Sequence, residues 1–291
     1  GPLMEHYDYI VVGAGSAGCV IANRLSADPK AKVLVLEAGG PDKSWLYRRP
    51  GALAIVYQVP KLKKKVDWGY RTVPQPFLDN REMPWTRGKV LGGCSTVNGM
   101  LYLRGNRANY DEWRDMGNPG WGYEDVLPLF KRSENHEDGA TDFHGAEGLL
   151  RVTHQPGRSI VSEAFRESIA AVCGIPADGD FNGADQECAG DYHMTCAHRQ
   201  RYSTAYAFLH PALERENLTG ITNALVTRII MEGKRAVGIQ FVVDGELREV
   251  YADAEVIISA GAINSPQLLQ LSGIGPGDHL RGHGIDIVHE L

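Results

Sequence analysis

The stretch that most constrains this chain is residues 7–37, YDYIVVGAGSAGCVIANRLSADPKAKVLVLE. Residues 7–12 form a short apolar, β-branched run of the kind that makes a buried parallel strand. Residues 16–25 read as a helix with Ala17, Val20, Ile21 and Leu25 on one face, and residues 31–36 read as a second strand ended by Glu37. Between the first strand and the helix, Gly13, Gly15 and Gly18 have the spacing G-x-G-x-x-G. In such a unit the first glycine allows the tight turn, the second admits a pyrophosphate to the backbone, and the third lets helix and strand pack closely. The helix start at Ser16 presents free N–H groups and a positive dipole end to phosphate. Glu37 lies about 20 residues beyond the last glycine, where a carboxylate accepts hydrogen bonds from ribose hydroxyls. A glycine turn alone is a weak signal, but with both strands, the helix and the acid in place it predicts dinucleotide binding. NAD and FAD fit this stretch equally.

After Glu37 the pattern changes. Ala38, Gly39, Gly40 and Pro41 form a turn, and no second amphipathic helix returns promptly to the sheet. A long irregular region runs to about Pro84, with Trp45, Tyr47, Tyr57, Trp68, Tyr70 and Phe77 spread through it. A loop of that length is either a surface excursion packed by its own aromatics or a lid over a long cofactor. Lys61, Lys63, Lys64 and Lys65 read as a solvated face, with a weak membrane-surface contact as the alternative. Residues 87–105, RGKVLGGCSTVNGMLYLRG, place Gly88, Gly92, Gly93, Gly99 and Gly105 among small residues, so backbone can approach a flat or phosphorylated ligand. Ser95, Thr96 and Asn98 add short hydrogen-bonding side chains, and residues 97–101 are expected to begin a buried helix.

Taken in order, GAGSAG with its following LEAG, then RGKVLGG-S-x-x-N, then SAGAINSPQLLQLSGIG at residues 259–275 resemble the glucose–methanol–choline oxidoreductases. The wording is nearest to the choline and alcohol dehydrogenase branch, and the resemblance runs from Tyr7 to Leu291. It implies an α/β fold: a Rossmann-like FAD-binding domain with an inserted antiparallel-sheet substrate domain, incomplete here. It also implies non-covalent FAD as cofactor and a small-molecule alcohol as substrate. Carried onto this sequence, the cofactor contacts fall on Gly13, Gly15, Ser16 and Gly18, on Glu37 and Ala38, and on Trp68. They continue at Arg87, Gly88, Gly92 and Gly93, at Asn98, Gly99 and Met100, at Val226 beside the adenine, and at Ala260 and Gly261. Some relatives carry a flavin-linked histidine after the GG pair; Val97 stands there, so no histidyl–flavin bond is expected.

Two helices broken at residues 116–120 are expected over residues 110–133, with their aromatics as core. Residues 134–146 read as a solvated polar loop, with His136 and His144 at no metal-like spacing. Residues 148–154 read as a strand, residues 159–172 as an amphipathic helix with Ile160, Phe165 and Ile169 inward, and residues 190–198 as another strand offering His193 and His198. Ser203 or Thr204 is expected to cap the next helix. Four short strands follow within residues 217–252, then a buried parallel strand at 254–259 and a helix opening at Ser265 and Pro266. The chain thus returns to its first sheet. The expected division is residues 5–147 and 201–291 for the cofactor and 148–200 for the start of the substrate domain.

Hydrophobic residues make up 43% and charged residues 23% of the 291, as in globular proteins generally. The net charge of −6 argues against nucleic acid as a partner, and no run is long and apolar enough for a membrane span. Gly1, Pro2 and Leu3 look like a remnant of tag cleavage. Five dispersed cysteines without C-x-x-C suit a reducing cytoplasm and argue against disulfides or a zinc site, so no metal is expected; Cys188 and Cys196 could meet across a hairpin, but buried free thiols are the better reading. A cytoplasmic enzyme, at most peripheral to the inner membrane, is the expected setting. Family members continue well beyond the position of Leu291, and that half carries the catalytic histidine. The resemblance therefore leads us to expect either one piece of a longer enzyme, with the rest on another chain, or a truncation. In either case the catalytic residues are unknown. Two other readings stay open: an FAD lyase or photodecarboxylase on the same scaffold, and a non-catalytic flavin-binding piece.

Overall fold

The computed structural model describes residues 3–291; Gly1 and Pro2, part of the expected tag remnant, lie outside it. Two compact units emerge: the chain up to Val97 joined by Ser203–Leu291, and Asn98–Tyr202. By packing, residues 98–147 go with the second unit rather than with the first.

The first unit opens with strand β1 (His6–Val12), helix α1 (Ser16–Leu25) and strand β2 (Val33–Leu36). β1 and β2 pair in parallel, and all four residues of β2 are buried. That matches an apolar, β-branched run covered on both faces. The buried side of α1 is Gly18, Cys19, Ala22 and Asn23, not the expected Ala17 face. Close packing decides this: a Cβ on Gly18 would lie 1.8 Å from the Gly13 carbonyl oxygen, so the helix turns its smallest residues to the strand.

The stretch after Glu37 is not irregular throughout, as expected from sequence. It folds into short helices α2 (Trp45–Arg48), α3 (Leu53–Gln58) and α4 (Pro60–Val66). Pro60 supplies the fixed φ of a helix start. Val56, Val66, Val90 and Val97 form a small core of their own, with Tyr47 and Tyr57 against it. The expected helix at residues 97–101 is absent. A 3₁₀ turn, Gly93–Thr96, ends there, Met100 has φ 63°, and strand β3 (Leu101–Tyr102) follows.

The second unit continues with α5 (Arg107–Asp115) and α6 (Tyr123–Ser133), the two helices the sequence predicts. Asn106 caps α5 through a capping box with Asn109. Tyr123 and Val126 are buried, but Trp113 and Trp121 are exposed, so only part of the aromatic set is core. Strand β4 (Glu134–His136) pairs in parallel with β5 (Leu150–Val152). This corrects the expected solvated loop: Glu134, His136 and His144 are all buried. Burial alone would neutralise Glu134, but His144 Nδ1 at 2.7 Å and Arg104 Nη2 at 2.9 Å hold its carboxyl below the usual range. Helix α7 (Ile160–Cys173) is capped by Ser159, and its Ile160 and Phe165 face outward at 81% and 66% exposure, against the inward expectation. Short strands β6 (His193–Met194), β7 (Cys196–Ala197) and β8 (Gln200–Arg201) complete the unit; β6 pairs antiparallel with β3, and β7 with β8.

Back in the first unit, a π-helical turn at Ala205–Leu209 and α8 (His210–Ala212) lead to β9 (Leu218–Ile221), β10 (Leu225–Glu232), β11 (Arg235–Val243) and β12 (Glu246–Ile258). The sheet order is β10-β11-β12-β1-β2-β9. β12 unites two expected strands. Its start pairs antiparallel with β11, and its end runs parallel to β1, Val256 opposite Ile10. Ile10, Leu34, Ile239, Phe241 and Val250, all essentially inaccessible, form the core of this unit. Helix α9 (Gly261–Leu271) begins four residues before the expected start, so Pro266 lies inside it. β13 (Ile274–Gly275), α10 (Gly277–Gly282) and β14 (His289–Glu290) end the chain. No helix among the described residues is long and apolar enough to cross a membrane.

Candidate functional site

The site is built where β1 ends. Gly13 has φ 93°, and its N–H donates to the Leu36 carbonyl at 2.8 Å, tying the turn to β2. The first hydrogen bond of α1 runs from Cys19 N–H to Gly15 O at 3.1 Å, and no side chain caps the helix. The N–H groups of its first turn are thus left for an outside acceptor, and the dipole favours an anion there. A Cβ on Gly15 would meet nothing nearer than the Gly93 Cα at 3.8 Å. Gly15 has ordinary extended dihedrals, φ −87° and ψ −157°. Neither packing nor backbone angle requires glycine at this position, and the missing side chain leaves a cradle over free N–H groups. That is the fit expected for a pyrophosphate.

Three further segments converge on this turn. Gly92 N–H donates to the Ala14 carbonyl at 2.8 Å, and a Cβ on Gly93 would sit 2.7 Å from the Gly15 Cα, which lays the second glycine loop on the first. Leu91 N–H reaches the Gly40 carbonyl at 2.9 Å, and the backbone of Gly39 lies against Lys89, where any Cβ would collide. Ser259 Oγ is 3.0 Å from both the Val12 and the Gly13 carbonyls, placing Ala260 and Gly261 at the end of β1. Gly261, φ 92°, has open space where a Cβ would be.

Glu37 is 6% exposed. Its Oε2 accepts the Ala14 N–H at 3.1 Å and its Oε1 the Gly39 N–H at 2.9 Å. Burial pushes its carboxyl up to about 7, against the pull of those two N–H groups and of the Lys89 charge. A carboxylate has about four lone-pair positions, so two remain for further donors. Ala38 is half-buried beside it. Asn223 N–H and Ala224 N–H donate to the Gly39 and Glu37 carbonyls at 2.8 and 2.9 Å, which brings the start of β10, and Val226 with it, to this end of β2.

Trp68 N–H donates to the Arg87 carbonyl at 3.1 Å, and Asp67 bridges Gly88, so these expected contacts share one antiparallel crossing. Lys89 Nζ stands 4.6 Å over the Trp68 ring. The Arg87 guanidinium turns instead to the Thr86 carbonyl and the Trp85 ring. Asn98, Gly99 and Met100 belong to the second unit. There Asn98 Oδ1 accepts from Arg201 Nη1 and from Met100 N–H, both at 2.9 Å.

Sequence reasoning missed Ser259 and Thr204 as parts of the site. Thr204 Oγ1 is 3.4 Å from the Gly15 carbonyl, and its N–H donates to Ser95 Oγ, which itself donates to the Gly92 carbonyl at 2.6 Å. The only signal available was a hydroxyl beside an alanine, too common to single out. Cys19 is a buried thiol outside any disulfide; burial pushes it up to about 12, so it stays protonated. Cys188 and Cys196 are likewise unpaired, Cys196 buried and Cys188 half-buried.

The GMC oxidoreductase family model matches residues 7–288. An alcohol dehydrogenase [acceptor] from Pseudomonas putida is 43% identical over 288 residues, 98% of this chain and 51% of that protein. An oxygen-dependent choline dehydrogenase from Vibrio vulnificus is 45% identical, over 99% of this chain and 51% of that protein. Among solved structures, the pyridoxine 4-oxidase from Mesorbium loti superposes with a TM-score of 0.90 at 33% identity, covering 98% of this chain and 55% of the other. The chain spans about half the length of the curated relatives it matches.

Proposed function

This chain belongs to the GMC oxidoreductase family, and we propose that it forms the FAD-holding part of an oxidoreductase acting on alcohol CH–OH groups. GMC oxidoreductases are FAD-dependent flavoproteins. The observation that supports the reading best is the open cradle at Gly15 above the uncapped start of α1. In this reading Gly13, Gly15, Ser16 and Gly18 hold the pyrophosphate, Glu37 holds the ribose diol, and the Val226 strand flanks the adenine. Gly92, Gly93, Ala260 and Gly261 admit the flavin ring close to backbone. Val97, buried and without a nucleophile, stands where a flavin-linked histidine occurs in some relatives, so the cofactor is held non-covalently.

FAD, once bound, supplies the two-electron acceptor that no side chain can provide. The chain's own task is to orient that group, exclude water from one of its faces and fix the charge of its diphosphate. The hydroxyl proton of the alcohol requires a base, and general-base assistance is worth about 10²–10⁴-fold. We assign that base to the half of the enzyme that the relatives possess beyond the matched length, so residues 1–291 alone do not oxidise alcohol. The test is a spectrum of the purified chain reconstituted with FAD and passed through gel filtration. One flavin retained per chain is expected. A colourless protein fraction would sink the assignment.

A further inference from the structure

Three histidines far apart in sequence meet in the second unit. His136 ends β4 opposite Val152 of β5, and the next residue, Thr153, exchanges both backbone hydrogen bonds with Met194, at 2.9 and 2.8 Å. That ladder fixes the relative places of His136, His154 and His193 through backbone rather than through side-chain chance. One ring nitrogen from each lies within 4.8 Å of the others. His136 Nε2 and His193 Nδ1 are 3.2 Å apart. Four-coordinate zinc with Zn–N bonds of ~2.0–2.1 Å separates its ligand atoms by roughly 3.3–3.4 Å. The rings stand edge to face, 60° for His136 against His193 and 82° for His154 against His193, as imidazoles converging on one point do.

We propose that His136, His154 and His193 form a three-imidazole site for a divalent transition metal of the zinc type. His136 and His193 are buried, while the His154 side chain is 41% exposed at a cleft of about 440 Å³, leaving the fourth position to water. Asp138 Oδ2 lies 2.5 Å from His154 Nε2, the kind of carboxylate that orients a ligating imidazole from behind. His144 is not part of the set. Both its nitrogens are committed, Nδ1 to Glu134 and Nε2 to Asp180. Imidazole donors select zinc, nickel or copper over magnesium and calcium, which prefer oxygen.

Without metal, His136 Nδ1 accepts the Asp138 N–H at 3.2 Å, so the proton sits on Nε2 and is shared with His193. Loading the metal replaces that shared proton. The Nε2–H bond breaks and an Nε2–metal bond forms. Nδ1 takes up a proton, and the Asp138 amide contact opens. No electron changes hands.

The test is calorimetric titration of the chelator-treated chain with Zn²⁺ at pH 7.5, repeated in millimolar Mg²⁺, with Co²⁺ as a visible reporter. One tight equivalent is expected, indifferent to Mg²⁺, with the intense absorption of tetrahedral cobalt. Asp138→Asn should weaken it by about 10–100-fold, and His154→Ala by more; being half-exposed, His154 can be lost without unfolding the chain. The metal-free melting temperature of each variant checks that. Doubly substituted His279→Ala, His283→Ala removes a surface pair with rings 4.8 Å apart and should leave the tight equivalent intact. Absence of that equivalent overturns the proposal. So does its survival in His154→Ala, or its loss with the His279 and His283 pair.

Discussion

Gly15 and Gly93 face each other asymmetrically. A Cβ on Gly15 stops 3.8 Å short of the Gly93 Cα, whereas a Cβ on Gly93 would press to 2.7 Å from the Gly15 Cα. Gly93 also has φ 56°, and Gly15 does not need a positive φ. Packing and backbone angle account for glycine at position 93 but not at position 15, which the proposed reading gives to the pyrophosphate. Gly15→Ala should melt near the wild-type temperature yet bind FAD at least tenfold more weakly, and Gly15→Val should not retain it. Gly93→Ala should lower the melting temperature of the FAD-free chain, because strain and overpacking cost about 1–3 kcal/mol. Parallel melts and flavin titrations separate the two. Full flavin binding by Gly15→Val would remove the phosphate from this turn.

Glu37 gives a pH dependence with a definite sign. Its folded value of about 7 exceeds the ordinary 4.5. Its contribution to the stability of the FAD-free chain is therefore present below about 4.5 and lost as pH rises through 7. Ribose hydroxyls need the ionised carboxylate, so binding runs the other way. FAD affinity should fall about tenfold from pH 8 to pH 6, one decade per unit below the folded value. Glu37→Gln should flatten this profile and, at pH 8, cost roughly 1.5–3 kcal/mol of binding, the worth of a hydrogen bond to a charged group. A flat profile in the unsubstituted chain would take Glu37 out of the cofactor site.

In the second unit Arg104 and Glu134 are a fully buried ion pair at 2.9 Å, with side-chain exposures of 3% and 0%. Arg104 also donates to the Phe143 carbonyl. Removing one member leaves a buried charge short of its partner, which costs about 3–5 kcal/mol. Arg104→Met should therefore lower the urea midpoint sharply, and adding Glu134→Gln should restore part of the loss. A loss of unfolding free energy under about 1 kcal/mol for the single variant would show that His144 and the Gly145 N–H suffice to hold the carboxylate.

The strands around the glycine turn were legible because their cues are local. Apolar β-branched runs, glycine spacing and an acid at a strand end each act within a few residues. The errors lie where packing or a single backbone angle decides. The α1 helix turned its Gly18 face inward because Gly13 O demanded it. The inward face expected for α7 is wrong: Ile160 and Phe165 are exposed and Ala170 is the buried residue of the helix. Met100 at φ 63° ended a run whose composition suits a helix. His136, His154 and His193 could not be joined by spacing, since their proximity comes from the pairing of Thr153 with Met194.

The last prediction concerns the proton acceptor. The first unit places glycine loops and hydroxyls around the cradle; in the proposed reading Glu37 is taken by the ribose, and burial holds the Cys19 thiol protonated. Tyr70 is committed to Asn264 Oδ1 at 2.5 Å, with burial pushing its phenol above the usual range. Neither group is available as a base near neutral pH. Anaerobic mixing of the FAD-loaded chain with primary alcohols or choline should therefore leave the oxidised flavin spectrum unchanged, at a rate lower than that of the complete enzyme by at least the 10²–10⁴-fold of general-base assistance. Supplying the half that the relatives possess beyond the matched length should restore bleaching. Intact mass comes first, to prove that the sample holds residues 1–291 only. Rapid bleaching by that sample would place the acceptor on this chain, and His193→Gln and His198→Gln would then be the variants to compare.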